Sequence, residues 1–266
     1  MKTSIHPTAV IDERAKLHPT VKVEPYAIIG GQVTIGENTV VGSHAIIDGL
    51  TTIGKDNQIF PGAAIGLEPQ DLKYRGANSE VKIGDRNRIR EYVTINRATD
   101  EGEATILGDD NLLMAYTHVG HNCIIDNEVI IANNVAIAGH VQIESMAVIS
   151  GVLGIHQFVH IGTMAMVGGM SRISRDVPPY MMVEGNPAQV RSLNFTGLKR
   201  RGFSSDEIRQ LKKAFSYLYL KKMSVQDAVA QLDEFSDNRH IRHLQQFMQL
   251  SIADGRRGSI AGKRST

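Results

Sequence analysis

The 266-residue chain has no tryptophan, one cysteine and an aromatic content of only 5%. With Cys123 as its single thiol, the chain cannot form an intrachain disulfide, which is consistent with a reducing, cytoplasmic setting. Cys123 occupies an inward position of its repeat and reads as a packed thiol, not a reactive one. Aromatic residues are too few for a base-stacking surface, and no nucleic-acid-binding motif is present, so nucleic acid is a poor partner. No apolar run is long enough to span a membrane. The opening residues carry no apolar signal core, since a repeat begins at once with Ile5. The formal charge of +1 hides an asymmetry. Residues 191–266 hold 15 Lys+Arg against 7 Asp+Glu, a balance of +8, which leaves −7 for the first 190. A basic terminal region of this kind is either a solvated helical surface or a face for an acidic partner.

What is present in quantity is a period of six. Ile, Leu or Val recurs at every sixth position from Ile5 to Ile173, and only Asp71, Ala77 and Glu101 break the series. Four residues after each anchor comes a small or β-branched residue, as in Ala9, Ala15, Val21, Ala27 and Thr39. The residue after the anchor is often Gly or Asp, as in Ile35-Gly36 and Ile47-Asp48. Neither a helix nor an alternating strand has this period; it marks a parallel β-helix of hexapeptides. Three hexapeptides make one triangular coil of about 18 residues, stacked at roughly 4.8 Å. The interruptions keep the phase of the series, so residues 66–82 and 96–106 read as external loops thrown from the coil wall.

The double proline at Pro178-Pro179 is expected to end regular pairing, which puts a β-helix domain at 1–190 and a helical domain at 191–266. Ser204 and Glu207 have capping-box spacing ahead of the apolar stripe Ile208, Leu211, Phe215, Leu218 and Tyr219. Ser224 opens a second helix, and Asp237 is the expected cap of a third. From Gly255 the composition predicts a disordered tail.

Histidines cluster late in the repeats. With 18 residues per coil, His121 and His140 are diagonal neighbours on adjacent coils, and His156 falls near the same edge. No carboxylate or thiolate accompanies them at ligand spacing, so no metal is expected and no cofactor is implied.

Several strings resemble one family closely: Gln70-Asp71-Leu72-Lys73-Tyr74, Ile83-Gly84-Asp85-Arg86-Asn87-Arg88-Ile89, Ala138-Gly139-His140-Val141, Ile155-His156-Gln157-Phe158 and Gly197-Leu198-Lys199-Arg200-Arg201-Gly202-Phe203. They are similar to the UDP-N-acetylglucosamine O-acyltransferases of the first lipid A step, and the similarity spans nearly the whole chain. The resemblance implies an all-β left-handed parallel β-helix with a C-terminal α-helical domain, and a homotrimer with active sites between subunits. The implied reaction moves an (R)-3-hydroxyacyl group from acyl carrier protein to the 3-hydroxyl of UDP-N-acetylglucosamine. His121 would be the general base and the Gly139 amide the oxyanion donor. Gln70, Asp71 and Lys73 would hold the sugar, with His118 and His140 on sugar and diphosphate. His156 and Gln157 would line the nucleotide side, Asn194, Arg200 and Arg201 would contact uridine and phosphate, and the basic helical end would dock the carrier protein. Gly169 corresponds to the residue that limits acyl length; it lies 48 residues beyond His121, or about 13 Å along the axis at roughly 4.8 Å per coil. With no side chain to close the groove, it implies a long acyl donor such as 3-hydroxymyristoyl.

Three residues depart from the family pattern. Asn122 stands where an Asp commonly follows the catalytic histidine, Asn96 replaces a histidine, and Thr196 a glutamate. Asn96 bears on whether the acceptor carries a hydroxyl or an amine. Two other readings compete: a hexapeptide acyltransferase that uses coenzyme A or acylates nitrogen, and a non-catalytic hexapeptide scaffold. The Gln70–Tyr74 loop argues against the first, and the aligned histidines against the second.

Overall fold

A computed structural model describes residues 4–235 and 237–262. Inward Ile, Leu and Val side chains stack on one another, and this stacking organises the chain as a left-handed parallel β-helix. Three flat walls run the length of the prism. The first begins at Ser4–Ile5, the second at Val10–Ile11 and the third at Lys16–Leu17, with every strand pairing in parallel to the one a coil away. Ile29, Ile47, Ile65, Ile95 and Ile137 form one inward column on the second wall, all fully buried. No single coil could bury its own apolar face, so stability comes from the contacts between neighbouring coils.

From Tyr26 onward most corners are turned by one residue with positive φ, three positions after the anchor: Asn38, Asp56, Arg86, Asp110, Glu128 and Met146 line one such edge. A non-glycine residue there costs on the order of 1–3 kcal/mol. The geometry returns a hydrogen bond, because the amide of the corner residue reaches the coil below, as in Arg86 N–H to Lys55 O (2.9 Å) and Glu128 N–H to Asp109 O (2.9 Å). Inside that same edge runs a polar ladder. Asn57 donates its N–H to Thr39, Asn87 to Asn57 Oδ1 (2.9 Å), Asn111 to Asn87 Oδ1 (2.9 Å) and Val129 to Asn111 Oδ1 (2.8 Å), and the three asparagines are buried.

The register shows how the loops are accommodated. Val41 pairs with Ile59 18 residues on, but Ile59 pairs with Ile89 and Ile89 with Leu113. The inserted lengths are therefore 12 and 6 residues, both multiples of the repeat. The excursions are residues 68–79, between strands Ala64–Leu67 and Glu80–Ile83, and residues 97–103, between Thr94–Asn96 and Ala104–Leu107. They are shorter than the expected 66–82 and 96–106, because residues at both ends of each span keep their strand pairing. Both leave from the corner between the second and third walls.

The prolines do not end the sheet. Met182 and Val183 pair with Met166 and Val167 beyond them, and the hairpin Met181–Gly185 with Ala188–Leu193 completes the first wall. Among the described residues four α-helices follow, α1 (Phe195–Arg200), α2 (Ser205–Phe215), α3 (Val225–Ala230) and α4 (Arg239–Ser251), with a π-helical turn at Ser216–Leu220 and a 3-10 turn at Gln231–Phe235. Ser204 and Glu207 form the capping box of α2, and Ser224 caps α3. Asn238, not Asp237, caps α4, accepting from the amides of His240 and Ile241. The chain end also departs from expectation. Ser259 and Gly262 bridge to Asp176 and Val190, Ile260 is buried, and Arg256 grips both oxygens of the buried Asp176 carboxylate. A buried carboxylate needs such a partner, and that need anchors the segment. Residues 263–266 of the expected disordered tail lie outside the described residues.

Candidate active site

The two loops rise from consecutive coils at the same corner and bind each other. Arg97 donates to the Tyr74 hydroxyl (2.7 Å) and to Gly66 O (3.1 Å) and lies over the Tyr74 ring, while Glu101 accepts from Asn78 N–H (2.7 Å). They stand beside a cleft of about 790 Å³ on the second wall, within the range of small-molecule sites. The cleft floor consists of outward positions on successive coils, His118, Ala136, Gly154 and Arg172, with Asn96 at its loop end. Ala136 and Gly154 keep its centre low. Its corner side is formed by His121, Gly139, His156 and Gln157, and its loop side by Gln70, Asp71 and Lys73.

His121 stands at the first complete corner above the loops. Its Nδ1 lies 2.8 Å from Asn122 Oδ1 and 2.9 Å from Thr99 Oγ1, so Nε2 is turned to the cleft, 3.7 Å from Asp71 Oδ2. A Cβ on Gly139 would fall 2.4 Å from His121 Nε2, so glycine is required for the imidazole to sit where it does. His140 packs edge-on to His121, with ring centroids 5.1 Å apart, and stacks on Phe158 at 4.7 Å. His118 shares a 2.7 Å hydrogen bond with Thr94. Burial pushes His118 below the ordinary imidazole value, and the neighbouring His121 adds to that shift. His140 is lowered for the same two reasons, in the same order, although Glu103, Asp100 and Asp71 oppose it. Both are therefore neutral at pH 7 and can donate and accept at once. Asn96 donates to Glu68 O (2.8 Å), and its buried Oδ1 has no hydrogen-bond partner among the described residues, which leaves an acceptor at the cleft.

The cleft thus brings together Gln70, Asp71, Lys73, His118, His121, Gly139, His156 and Gln157, with His140 against His121. Four expected residues lie elsewhere in the chain. Asn194 caps α1 and donates to Met164 O, and Arg201 pairs with Glu128; both are therefore at the corner between the third and first walls, behind the cleft wall. Arg200 is exposed in the same segment, and Gly169 is at the corner between the first and second walls. Thr99 and Glu103 were not legible from the repeat, since they sit where the loop breaks it. No group of three or more His, Cys, Asp or Glu among the described residues could hold a metal ion.

Residues 176–260 match the family described as UDP-N-acetylglucosamine O-acyltransferase, domain 2, and residues 14–49 and 104–139 match the bacterial transferase hexapeptide family. The acyl-[acyl-carrier-protein]–UDP-N-acetylglucosamine O-acyltransferase of Gloeothece citriformis (strain PCC 7424) is 61% identical over 208 residues, 78% of this chain and 75% of the relative. The protein of the same description from Verminephrobacter eiseniae (strain EF01-2) is 50% identical over 233 residues, 87% and 89% of the two chains. A solved UDP-N-acetylglucosamine acyltransferase from Francisella novicida superposes with a TM-score of 0.93 at 36% identity, covering 98% of this chain and 95% of that one.

The depressed histidines give a pH dependence of definite sign. An unfolded histidine takes up a proton near pH 6.5, whereas folded His118 and His140 resist until lower pH. The unfolded chain then binds more protons, so their contribution to stability is complete above about pH 6.5 and is lost as pH falls below it. NMR titration of labelled histidines is expected to give both midpoints below 6.5; a midpoint at or above that value contradicts the assignment.

Proposed function

Because the chain belongs to the UDP-N-acetylglucosamine O-acyltransferase family, we propose that it transfers an (R)-3-hydroxyacyl group from acyl carrier protein to the 3-hydroxyl of UDP-N-acetylglucosamine with His121 as general base. This is the first step of lipid A biosynthesis. The observation that carries the catalytic part is the imidazole itself: Nδ1 is tied to Asn122 and Thr99, and Nε2 faces the cleft.

A sugar hydroxyl is a poor nucleophile at neutral pH and needs its proton removed as it attacks. His121 Nε2 takes that proton while the oxygen bonds to the thioester carbonyl carbon. The Gly139 N–H donates to the oxyanion that forms. Collapse of the tetrahedral intermediate breaks the carbon–sulfur bond, and the imidazolium returns the proton to the departing carrier thiolate. Asp71 and Lys73, with Gln70, hold the sugar; His118 and His140, as neutral donors and acceptors, bind sugar and diphosphate without adding charge at the base. His156 and Gln157 take the nucleotide side. The carrier protein docks on the basic helical segment 191–266, whose balance is +8. A cytoplasmic location is part of the proposal; none of the described helices is long and apolar enough to cross a membrane.

A homotrimer is the second element. Asn194, Arg200 and Arg201 sit behind the wall that carries their own chain's cleft, so a neighbouring copy must supply them if they are to reach nucleotide. The outward row Leu112, Ile130, Val148, Met166 and Met182 on the first wall is apolar over five successive coils and suits such an interface. Sedimentation equilibrium is expected to give a trimer; a stable monomer at micromolar concentration overturns the intersubunit site.

Assay of the purified protein with paired acyl carrier and coenzyme A thioesters, with product analysis by mass spectrometry, is expected to show O-acylated UDP-N-acetylglucosamine from the carrier donor. His121→Ala should reduce turnover about 10²–10⁴-fold with little change in sugar affinity. Gly139→Ala should reduce it about 10²-fold, because the new methyl displaces the base. Near-full activity in His121→Ala removes that residue from the mechanism. For acyl length, Gly169→Met should shift preference to shorter donors; equal slowing of all lengths excludes Gly169 as the limit.

A further inference from the structure

The corner beneath His121 is missing, and what replaces it is specific. From His44 onward the other non-glycine positive-φ corner residues donate their amides to a backbone carbonyl of the coil below, but Asn122 N–H, like Tyr26 and Asn38 near the start of the β-helix, donates to a threonine hydroxyl, here Thr105 Oγ1 (2.8 Å). The chain left the wall at Asn96 and returned only at Ala104. In the opening lie two residues of the excursion. Thr99 N–H donates to Asn122 Oδ1 (3.1 Å), and Glu103 Oε2 accepts from Asn122 Nδ2 (2.5 Å).

These contacts leave the Asn122 amide one orientation. A carboxylate can only accept, so the NH₂ must face Glu103. A backbone N–H can only donate, so the oxygen must face Thr99, and that same oxygen is the atom 2.8 Å from His121 Nδ1. Nδ1 must then carry the hydrogen, and the lone pair must be on Nε2, in the cleft. We propose that Glu103 is a positioning residue for the base: through Asn122 it holds His121 in the Nδ1–H tautomer, and its charge balances the imidazolium formed during transfer. The carboxylate that usually follows the catalytic histidine in the family is thereby moved one hydrogen bond outward and supplied by the loop. This inference rests on the role given to His121 above.

The test is a charge swap. In Glu103→Gln the new amide can donate or accept, so only the Thr99 N–H still holds the Asn122 oxygen toward Nδ1; the turned-over amide, which presents NH₂ to Nδ1 and puts the hydrogen on Nε2, then becomes populated at the cost of that single bond. Turnover is expected to fall about 10- to 100-fold with the KM for nucleotide sugar within about twofold, and the acid limb of the pH profile to move to lower pH, since a negative charge near the imidazolium is gone. Asn122→Asp alone places two carboxylates against each other and is also expected to be impaired. The double variant Glu103→Gln/Asn122→Asp restores the pattern with the charge moved inward, and is expected to recover turnover to within about threefold of wild type. A purely structural role for Glu103 would give no such rescue and no shift of the acid limb. Wild-type-like turnover in Glu103→Gln, or a double variant no better than the single ones, overturns the proposal. Nitrogen-15 NMR of histidine-labelled protein reads the tautomer without substrate: Nδ1–H in the wild type and a mixture in Glu103→Gln are expected. An unchanged tautomer in the variant overturns the proposal even if the acyltransferase reading holds.

Discussion

Each inward side chain must lie on the inward side chain one coil away, and the rest of the molecule is arranged around that requirement. The buried column through Ile47, Ile65, Ile95 and Val119 continues straight past both loops, because chain can be added only in units that return the next anchor to the same wall. Insertions of other lengths would turn every following anchor outward or onto the wrong wall. The corners obey the same rule: residues as unsuited to positive φ as Val152 and Met146 accept it, because the alternative is loss of the stack.

The candidate site follows from where that rule was relaxed. Both excursions leave from the same corner on consecutive coils, so they reinforce each other through Arg97 and Tyr74 and remove two turns of the edge directly below His121. The wall supplies a rigid floor, low at Ala136 and Gly154, and the loops add the polar groups of Gln70, Asp71 and Lys73 above it. Groups that accept or donate in fixed directions can be held there at little reorganisation cost, which is what transition-state stabilisation needs. The neutral state of His118 and His140 belongs to the same design. Burial, with His121 close by, disfavours charge on both, so each keeps one nitrogen to donate and one to accept.

The period of six made the fold legible, and coil arithmetic made the pairing of His121 with His140 legible, because both depend on spacing along the chain. Loop ends were overdrawn: anchors fail where an inward residue turns polar, whereas pairing survives one or two residues further, as at Leu67 and Glu80. The proline pair misled because Met182 resumes pairing beyond it, and the chain end misled because its order comes from Arg256 meeting a buried Asp176 some 80 residues earlier. Composition carries no information about such a distant contact. Thr99 and Glu103 escaped for a related reason: their positions make sense only once the broken corner is seen in three dimensions.

The same geometry underlies the proposal that a neighbouring copy supplies Asn194, Arg200 and Arg201. In a three-walled prism, a residue at the corner between the third and first walls is screened from the second wall by the core itself. Asn194, fixed to Met164 O, and Arg201, fixed to Glu128, cannot reach around that obstacle without breaking the bonds that hold the helical segment to the β-helix. The core that makes the wall rigid thus prevents one copy from surrounding a long ligand laid along that wall. A long ligand on a flat wall can be enclosed only by another wall, and the apolar row from Leu112 to Met182 gives the first wall a reason to pack against a second copy.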